Sequence, residues 1–137
     1  MGESEVKITV DTNVLVRAAV RDDKAQARTA AKLLTNAEVI SVTVPVLCEF
    51  VWVLRKVYSF ARADIAIAMR ALLNTANVVV PRPAAEAGLA MLEAGGDFAD
   101  GAIAHEGRHQ GGDIFVSFDK EAVAGLTKRG YAAKLLP

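Results

Sequence analysis

Four carboxylates stand where an α/β protein would do its chemistry. Asp11 directly follows the apolar run "KITV", and Asp119 directly follows "FVSF". Ligands of open α/β sheets bind outside the carboxyl ends of the strands. Both acids also precede helical patterns, where Asp is a favoured N-cap; beside Asp11, Thr12 and Asn13 are also competent caps, which weakens that reading for Asp11. Glu49 lies in "PVLCEFVWVLRKV". At about 100° per residue it falls roughly 60° from Val46 and 40° from Val53, so it is predicted among the apolar side chains facing the sheet. An unpaired carboxylate there costs several kcal/mol or takes up a proton, which predicts a partner, a hydrogen bond or a metal. Arg55, six residues on, is turned about 120° away. In "DFADGAIA", Asp97 after "GG" is predicted to cap a helix and Asp100 to lie in its first turn, where the helix dipole favours an anion. Two carboxylates at i, i+3 can also face one shared cation.

If these acids converge, they repel and raise one another's pKa unless a hard cation lies between them. A set of oxygen ligands selects magnesium or manganese over zinc. Magnesium held by carboxylates and waters implies phosphate chemistry, with the ion neutralising the phosphate and activating a water for in-line attack.

A rival motif is "AHEGRH", in which His105, Glu106 and His109 have the spacing of a zinc-peptidase helix. That site needs a third ligand and an uninterrupted helix. The extended pattern wants a histidine at position 115, which is Phe115; Glu121 lies beyond the next predicted strand; Gly107 interrupts the motif, and Gly111 and Gly112 close it. His109 is nine positions from Asp100, about 180° around the helix, so the histidines face away from the acids. Two histidines near a helix C-terminus also have a purely structural account, because positive charge is favoured there. A zinc peptidase is the remote alternative. The nearer one is a magnesium-binding regulatory or interaction module without catalysis, although a receiver would want paired acids after the first strand and "VDTN" offers one. A dehalogenase-type phosphatase would want a second Asp where Asn13 stands. Cys48, beside Leu47, is read as a small core residue rather than a nucleophile.

The elements that must position these residues are legible from periodicity. "VKITV", "VISVT", "NVVVP" and "DIFVSF" are predicted strands, with "AAKLL" a weak terminal one. Between them lie the helical patterns "NVLVRAAVRDD", "AQARTAAKLLTNA", "PVLCEFVWVLRKVY", "RADIAIAMRALLNTA", "AAEAGLAMLEAGG", "DFADGAIAHEGRHQGG" and "KEAVAGLTKRG". Strands linked by helical crossovers predict a parallel sheet covered on both faces. With no repeat or linker, residues 1–137 read as a single domain.

Composition narrows the class. The chain of 137 residues is 53% hydrophobic and 23% charged, with a mean hydropathy of +0.28, as expected of a globular protein with a real core. Sixteen Lys and Arg balance 16 Asp and Glu, so a nucleic-acid partner must be held by local charge. One cysteine excludes an internal disulfide and fits a reducing, cytoplasmic setting. "MGESEVKITV" has no secretory pattern and no Ser or Thr at its sixth position for myristoylation. The longest apolar stretch, "VTVPVLCEFVWVL", is too short for a bilayer and contains Glu49, so a soluble protein is expected.

Taken in order, "VDTNVLV", "CEFVWVL", "DFADGAIA" and "SFDKEA" resemble the PIN domain over nearly the whole chain, most closely the VapC-type toxins of bacterial toxin–antitoxin pairs. The resemblance implies a three-layer α/β/α fold with a central parallel sheet of about five strands. It implies that Asp11, Glu49, Asp100 and Asp119 hold Mg2+ or Mn2+, with Asp97 an extra acid or cap and Thr12, Asn13 and Ser117 orienting the carboxylates or water. It implies a metal-dependent endoribonuclease that acts on RNA, forms a homodimer and is silenced by a cognate antitoxin.

Arg17, Arg21, Lys24, Arg28 and Lys32 recur at spacings of three and four, one basic stripe if the helix is continuous. Arg17 and Arg21, nearest Asp11, are the candidates for RNA contact; a solvated face is the competing reading, and Asp22 and Asp23 can break the helix in two. "YSFARADIAIAMRALL" offers a dimer surface, with ordinary core burial ranked ahead of it.

Overall fold

The computed structural model describes residues 6–137. The readings made on residues 1–5, concerning secretion and acylation, lie outside the described residues. The chain divides into two compact units at Pro81 and Arg82.

In the first unit, strand β1 (Lys7–Thr9) leads into helices α1 (Thr12–Val20) and α2 (Lys24–Asn36). Strand β2 (Val39–Ser41), helices α3 (Val44–Lys56) and α4 (Arg62–Leu73) and strand β3 (Val78–Val79) follow. The strands form a parallel sheet in the order β1-β2-β3, with Ile8 opposite Ile40 and Ile40 opposite Val78. Ile40, at the centre, is fully buried, and Leu15, Val16, Leu47, Phe50, Leu54, Ile65 and Met69 fill the core. The Asn77 side-chain amide donates to the carbonyls of Leu34 and Ala37, tying the end of α2 to the entry of β3. Helix α4 buries Ile65, Ala66, Met69 and Leu73, as the core reading of this stretch expected, and leaves Ile67 exposed.

The second unit contains helices α5 (Arg82–Glu93) and α6 (Phe98–His109), strand β4 (Phe115–Ser117), helix α7 (Lys120–Lys128) and strand β5 (Ala133–Leu135). Strands β4 and β5 pair in parallel, Phe115 opposite Ala133 and Ser117 opposite Leu135. Phe115, Tyr131 and Ala133 pack on Met91, Ala104 and Leu126. Alternation along β4 turns the neighbouring residues outward, so Ile114, Val116 and Phe118 are exposed, Phe118 at 75%. Among the described residues the strands therefore make one three-stranded and one two-stranded parallel sheet, and the second is covered by its own unit on one face.

Helices α5 and α6 approach closely because two glycines let them. A Cβ on Gly101 would collide with the carbonyl of Ala87 and come within 2.8 Å of Met91 Cγ, and one on Gly88 would meet the Phe98 ring at 2.8 Å. Phe98 is fully buried at this contact. Gly101→Ala is expected to destabilise the protein by about 1–3 kcal/mol, because helix backbone cannot yield as a side chain can. A denaturant midpoint unchanged from wild type would show that the helices separate freely.

The chain expectations hold for element type and order; of the two readings left open for the basic residues the structure has the break at Asp22 and Asp23, and the reading of Glu49 needs correction. The basic stripe is not continuous: α1 ends at Arg21, which takes a left-handed conformation (φ 60°), and Asp23 caps α2. Glu49 is exposed, not among the core side chains. The buried stripe of α3 is Val44, Leu47, Phe50, Val51 and Leu54; Val46 and Val53, the neighbours used to orient Glu49, are only half-buried flanks. On a helix apolar nearly all round, nearness to a valine does not identify the inward face.

Candidate functional site

Three of the candidate acids are helix N-caps. Asp11 caps α1, its Oδ1 accepting from the Val14 N–H at 3.3 Å. Asp97 caps α6, accepting from the Ala99 N–H at 3.3 Å. Asp119 caps α7, its Oδ1 accepting from the N–H groups of Glu121 at 2.9 Å and Ala122 at 3.2 Å. Capping and ligation are compatible here. Each cap uses Oδ1, which fixes the carboxylate and leaves its second oxygen for another partner. Each of these acids also sits at the N-terminus of its own helix, whose partial positive charge favours an anion.

Around Asp11, Thr12 is buried in the first turn of α1 and Asn13 is exposed, so the cap is Asp11 and not either neighbour. Ser117, at the end of β4, accepts from the Asp119 N–H through Oγ at 2.9 Å and fixes the backbone that carries that acid.

In the second unit the structure brings Asp97, Asp100 and Asp119 together. Asp100, at the third position of α6, is half-buried, and its pKa is pushed up from 3.8 to about 6, first by burial and then by the negative charges of Asp97 and Asp119. A nearby cation would relieve this repulsion and favour the ionised form. The donors around it are oxygen, which suits a hard divalent ion and gives a transition metal no reason to be preferred. Among the described residues, no group of three or more His, Cys, Asp or Glu side chains is arranged as it stands to hold a metal ion. The acids thus fit such an ion in kind and charge, and holding it requires their side chains to draw in. Asp11 and Glu49 belong to the first unit.

The basic residues divide differently from the sequence expectation. Arg17 is occupied: its guanidinium is paired with Asp22, whose other oxygen accepts from Tyr58 Oη at 3.1 Å. The hydrogen bond to Asp22 holds the Arg17 pKa above its ordinary value. Burial works to raise the Asp22 pKa, and the hydrogen bonds from Tyr58 and Arg17 outweigh it to give a net lowering. Arg21, by contrast, lines a concavity of about 310 Å³ with Lys24 and Arg28. Sequence reasoning missed Tyr58, 36 residues from its acid, because nothing local signals that contact.

The histidines lie at the other end of α6. The helix continues unbroken through Gly107, while the position a third zinc ligand would need is Phe115 in β4. Burial lowers the His105 pKa, helped by His109 and Arg108 and opposed by Glu106. Arg108 stacks over the Tyr131 ring, Cζ to centroid 4.3 Å, a pairing the sequence did not suggest.

No helix among the described residues is long and apolar enough to cross a membrane. A family model described as PIN domain matches residues 8–125. No curated protein matches the chain.

Proposed function

The chain belongs to the PIN-domain family, whose members are generally Mg2+-dependent nucleases, and from that premise we propose that it is a metal-dependent endoribonuclease acting as the toxin of a toxin–antitoxin pair. The observation that carries the reading is Asp100, half-buried between Asp97 and Asp119 with its pKa raised to about 6. Crowded carboxylates repel one another, and a bound divalent cation would offset that repulsion.

Asp11, Glu49, Asp100 and Asp119 would hold Mg2+ or Mn2+, and the ion when bound would offset phosphate charge and make water acidic enough to attack at neutral pH. The chain's own residues do the positioning. Caps hold the carboxylates of Asp11 and Asp119 through Oδ1 and would leave the second oxygen of each for an ion. Ser117 holds the Asp119 backbone, Thr12 and Asn13 border Asp11, and Asp97 adds charge that keeps Asp100 attractive to a cation. Arg21, Lys24 and Arg28 would contact the RNA backbone, with Arg17 committed to Asp22.

The finer architecture belongs to the same proposal: a single domain with one central sheet of about five parallel strands between helical layers. The apolar outward face of β4 is the kind of surface such a layer covers. A homodimer and an antitoxin partner rest on the resemblance to VapC-type toxins, supported by exposed Trp52, Val57 and Ile67. A cytoplasmic location rests on the single cysteine.

The test is incubation of the purified chain with RNA and with DNA of the same sequence. RNA is expected to be cut with Mg2+ or Mn2+ present, to be spared after chelation, and to be cut again when the ion is restored. Cleavage undiminished by chelation, or RNA left intact in every condition, overturns the proposal.

A further inference from the structure

Two adjacent acids stand beside the basic cluster of the first unit, and neither lines it. Arg21, Lys24 and Arg28, all exposed, surround a concavity of about 310 Å³ whose remaining lining is Ala27 and Ala31. Three cations around a hollow with no carboxylate in its wall make a field that draws an oligoanion. Yet Asp22 and Asp23 lie between Arg21 and Lys24 in the chain. Either acid could compensate that field if its side chain were not engaged elsewhere.

Both are engaged. Asp23 caps α2, its Oδ1 accepting from the Gln26 N–H at 3.0 Å. Asp22 accepts from the Arg17 guanidinium through Oδ1 and from Tyr58 Oη, at 3.1 Å, through Oδ2. The tyrosine is the partner that reaches Asp22 from outside the α1–α2 corner. It follows the end of α3, where its N–H donates to the Val53 carbonyl at 3.2 Å and the Phe60 N–H donates to the carbonyl of fully buried Leu54 at 2.9 Å. A core helix therefore carries the Tyr58 hydroxyl, and the acid it holds is 36 residues away.

We propose that Tyr58 is a positioning residue: acting through Asp22, it keeps that acid away from Arg21, Lys24 and Arg28, so that the cluster meets phosphate groups, here those of an RNA backbone, with its charge uncompensated. Without the hydroxyl, Asp22 is held by Arg17 alone, an exposed pair of the weak kind. The carboxylate then spends part of its time against the nearby cations and competes with phosphate for them. Removing the charge of Asp22 has the opposite effect, because it also releases Arg17, four residues before Arg21. This role presupposes RNA as the ligand of the basic cluster and is independent of the metal chemistry.

The test titrates the full chain with a labelled single-stranded RNA and, separately, with tripolyphosphate, in chelator so that nothing is cut. Tyr58→Phe is expected to weaken binding about three- to fivefold and Asp22→Asn to tighten it by a similar factor, the size of one exposed charge interaction. In the double variant the effect of Tyr58→Phe disappears, because the charge it restrains is gone. A merely structural tie would instead weaken binding in both single variants; melting curves check that each folds. Wild-type affinity in Tyr58→Phe, weaker binding by Asp22→Asn, or a Tyr58 effect that persists in the double variant each overturns the role. So does a wild type that holds neither ligand below millimolar concentration. Tripolyphosphate bound with the expected pattern while RNA is ignored upholds the role and overturns the RNA reading instead.

Discussion

On the proposed function, Asp119→Asn is expected to lower Mg2+-dependent RNA cleavage by about 10²–10³-fold while leaving the melting temperature within a few degrees of wild type. The loss of rate would follow from removing a proposed charged oxygen ligand, an effect of about 3–4 kcal/mol on the barrier at 1.36 kcal/mol per tenfold. The small change in stability follows from the cap. Asn is as good an N-cap as Asp, and its carbonyl oxygen can accept the same N–H groups of Glu121 and Ala122. Asp11→Asn should behave alike, since its cap to Val14 survives the change. Cleavage rates and thermal unfolding on the same preparations separate the two effects. Retained cleavage in either variant would remove that acid from the metal site. A parallel collapse in stability would mean that the charge, and not the cap, supports the fold.

Asp100→Asn is expected to abolish cleavage and yet to raise the stability of the metal-free protein at pH 7. The folded pKa of about 6 lies above the reference 3.8, so between these values the native state binds more protons than the unfolded one. Stability from this group therefore falls as pH rises from about 4 to about 6, and above that window the ionised Asp100 opposes folding. Removing the charge removes the penalty. The residue is only half-buried, and solvent screening limits the gain to roughly 2 °C in melting temperature. Mg2+ should stabilise the wild type by mass action and leave the variant nearly unmoved. Melting curves at pH 5 and pH 7.5, with and without Mg2+, read all of this. A variant less stable than wild type at pH 7.5 without metal would contradict it.

The contrast between these acids follows from how each is positioned. Asp97 and Asp119 were readable as caps from neighbouring residues alone, because a cap is made within three positions of the chain. Asp11 was not, since Asp, Thr and Asn follow one another and each can cap; burial of Thr12 in the first turn decides it. Asp100 was assigned to a first turn correctly, but its raised pKa comes first from burial, then from its neighbour Asp97 and from Asp119, nineteen positions on; only the Asp97 part has a local signature.

Through periodicity and capping the sequence predicted the seven helices and five strands of the described residues, and their order along the chain, because both act over a few residues and each segment carries its own pattern. It also determined the oxygen character of the candidate site, since side-chain chemistry does not depend on folding. Tertiary structure alone decided which face of α3 is inward, because "VPVLCEFVWVLRK" is apolar on most sides and only packing against partners selects Leu47, Phe50 and Leu54 over Val46 and Val53. It alone committed Arg17 to Asp22 beside Tyr58 and left a buried His105 nitrogen without a partner. Each of these depends on side chains that are distant in sequence meeting in space, and no local pattern carries that information.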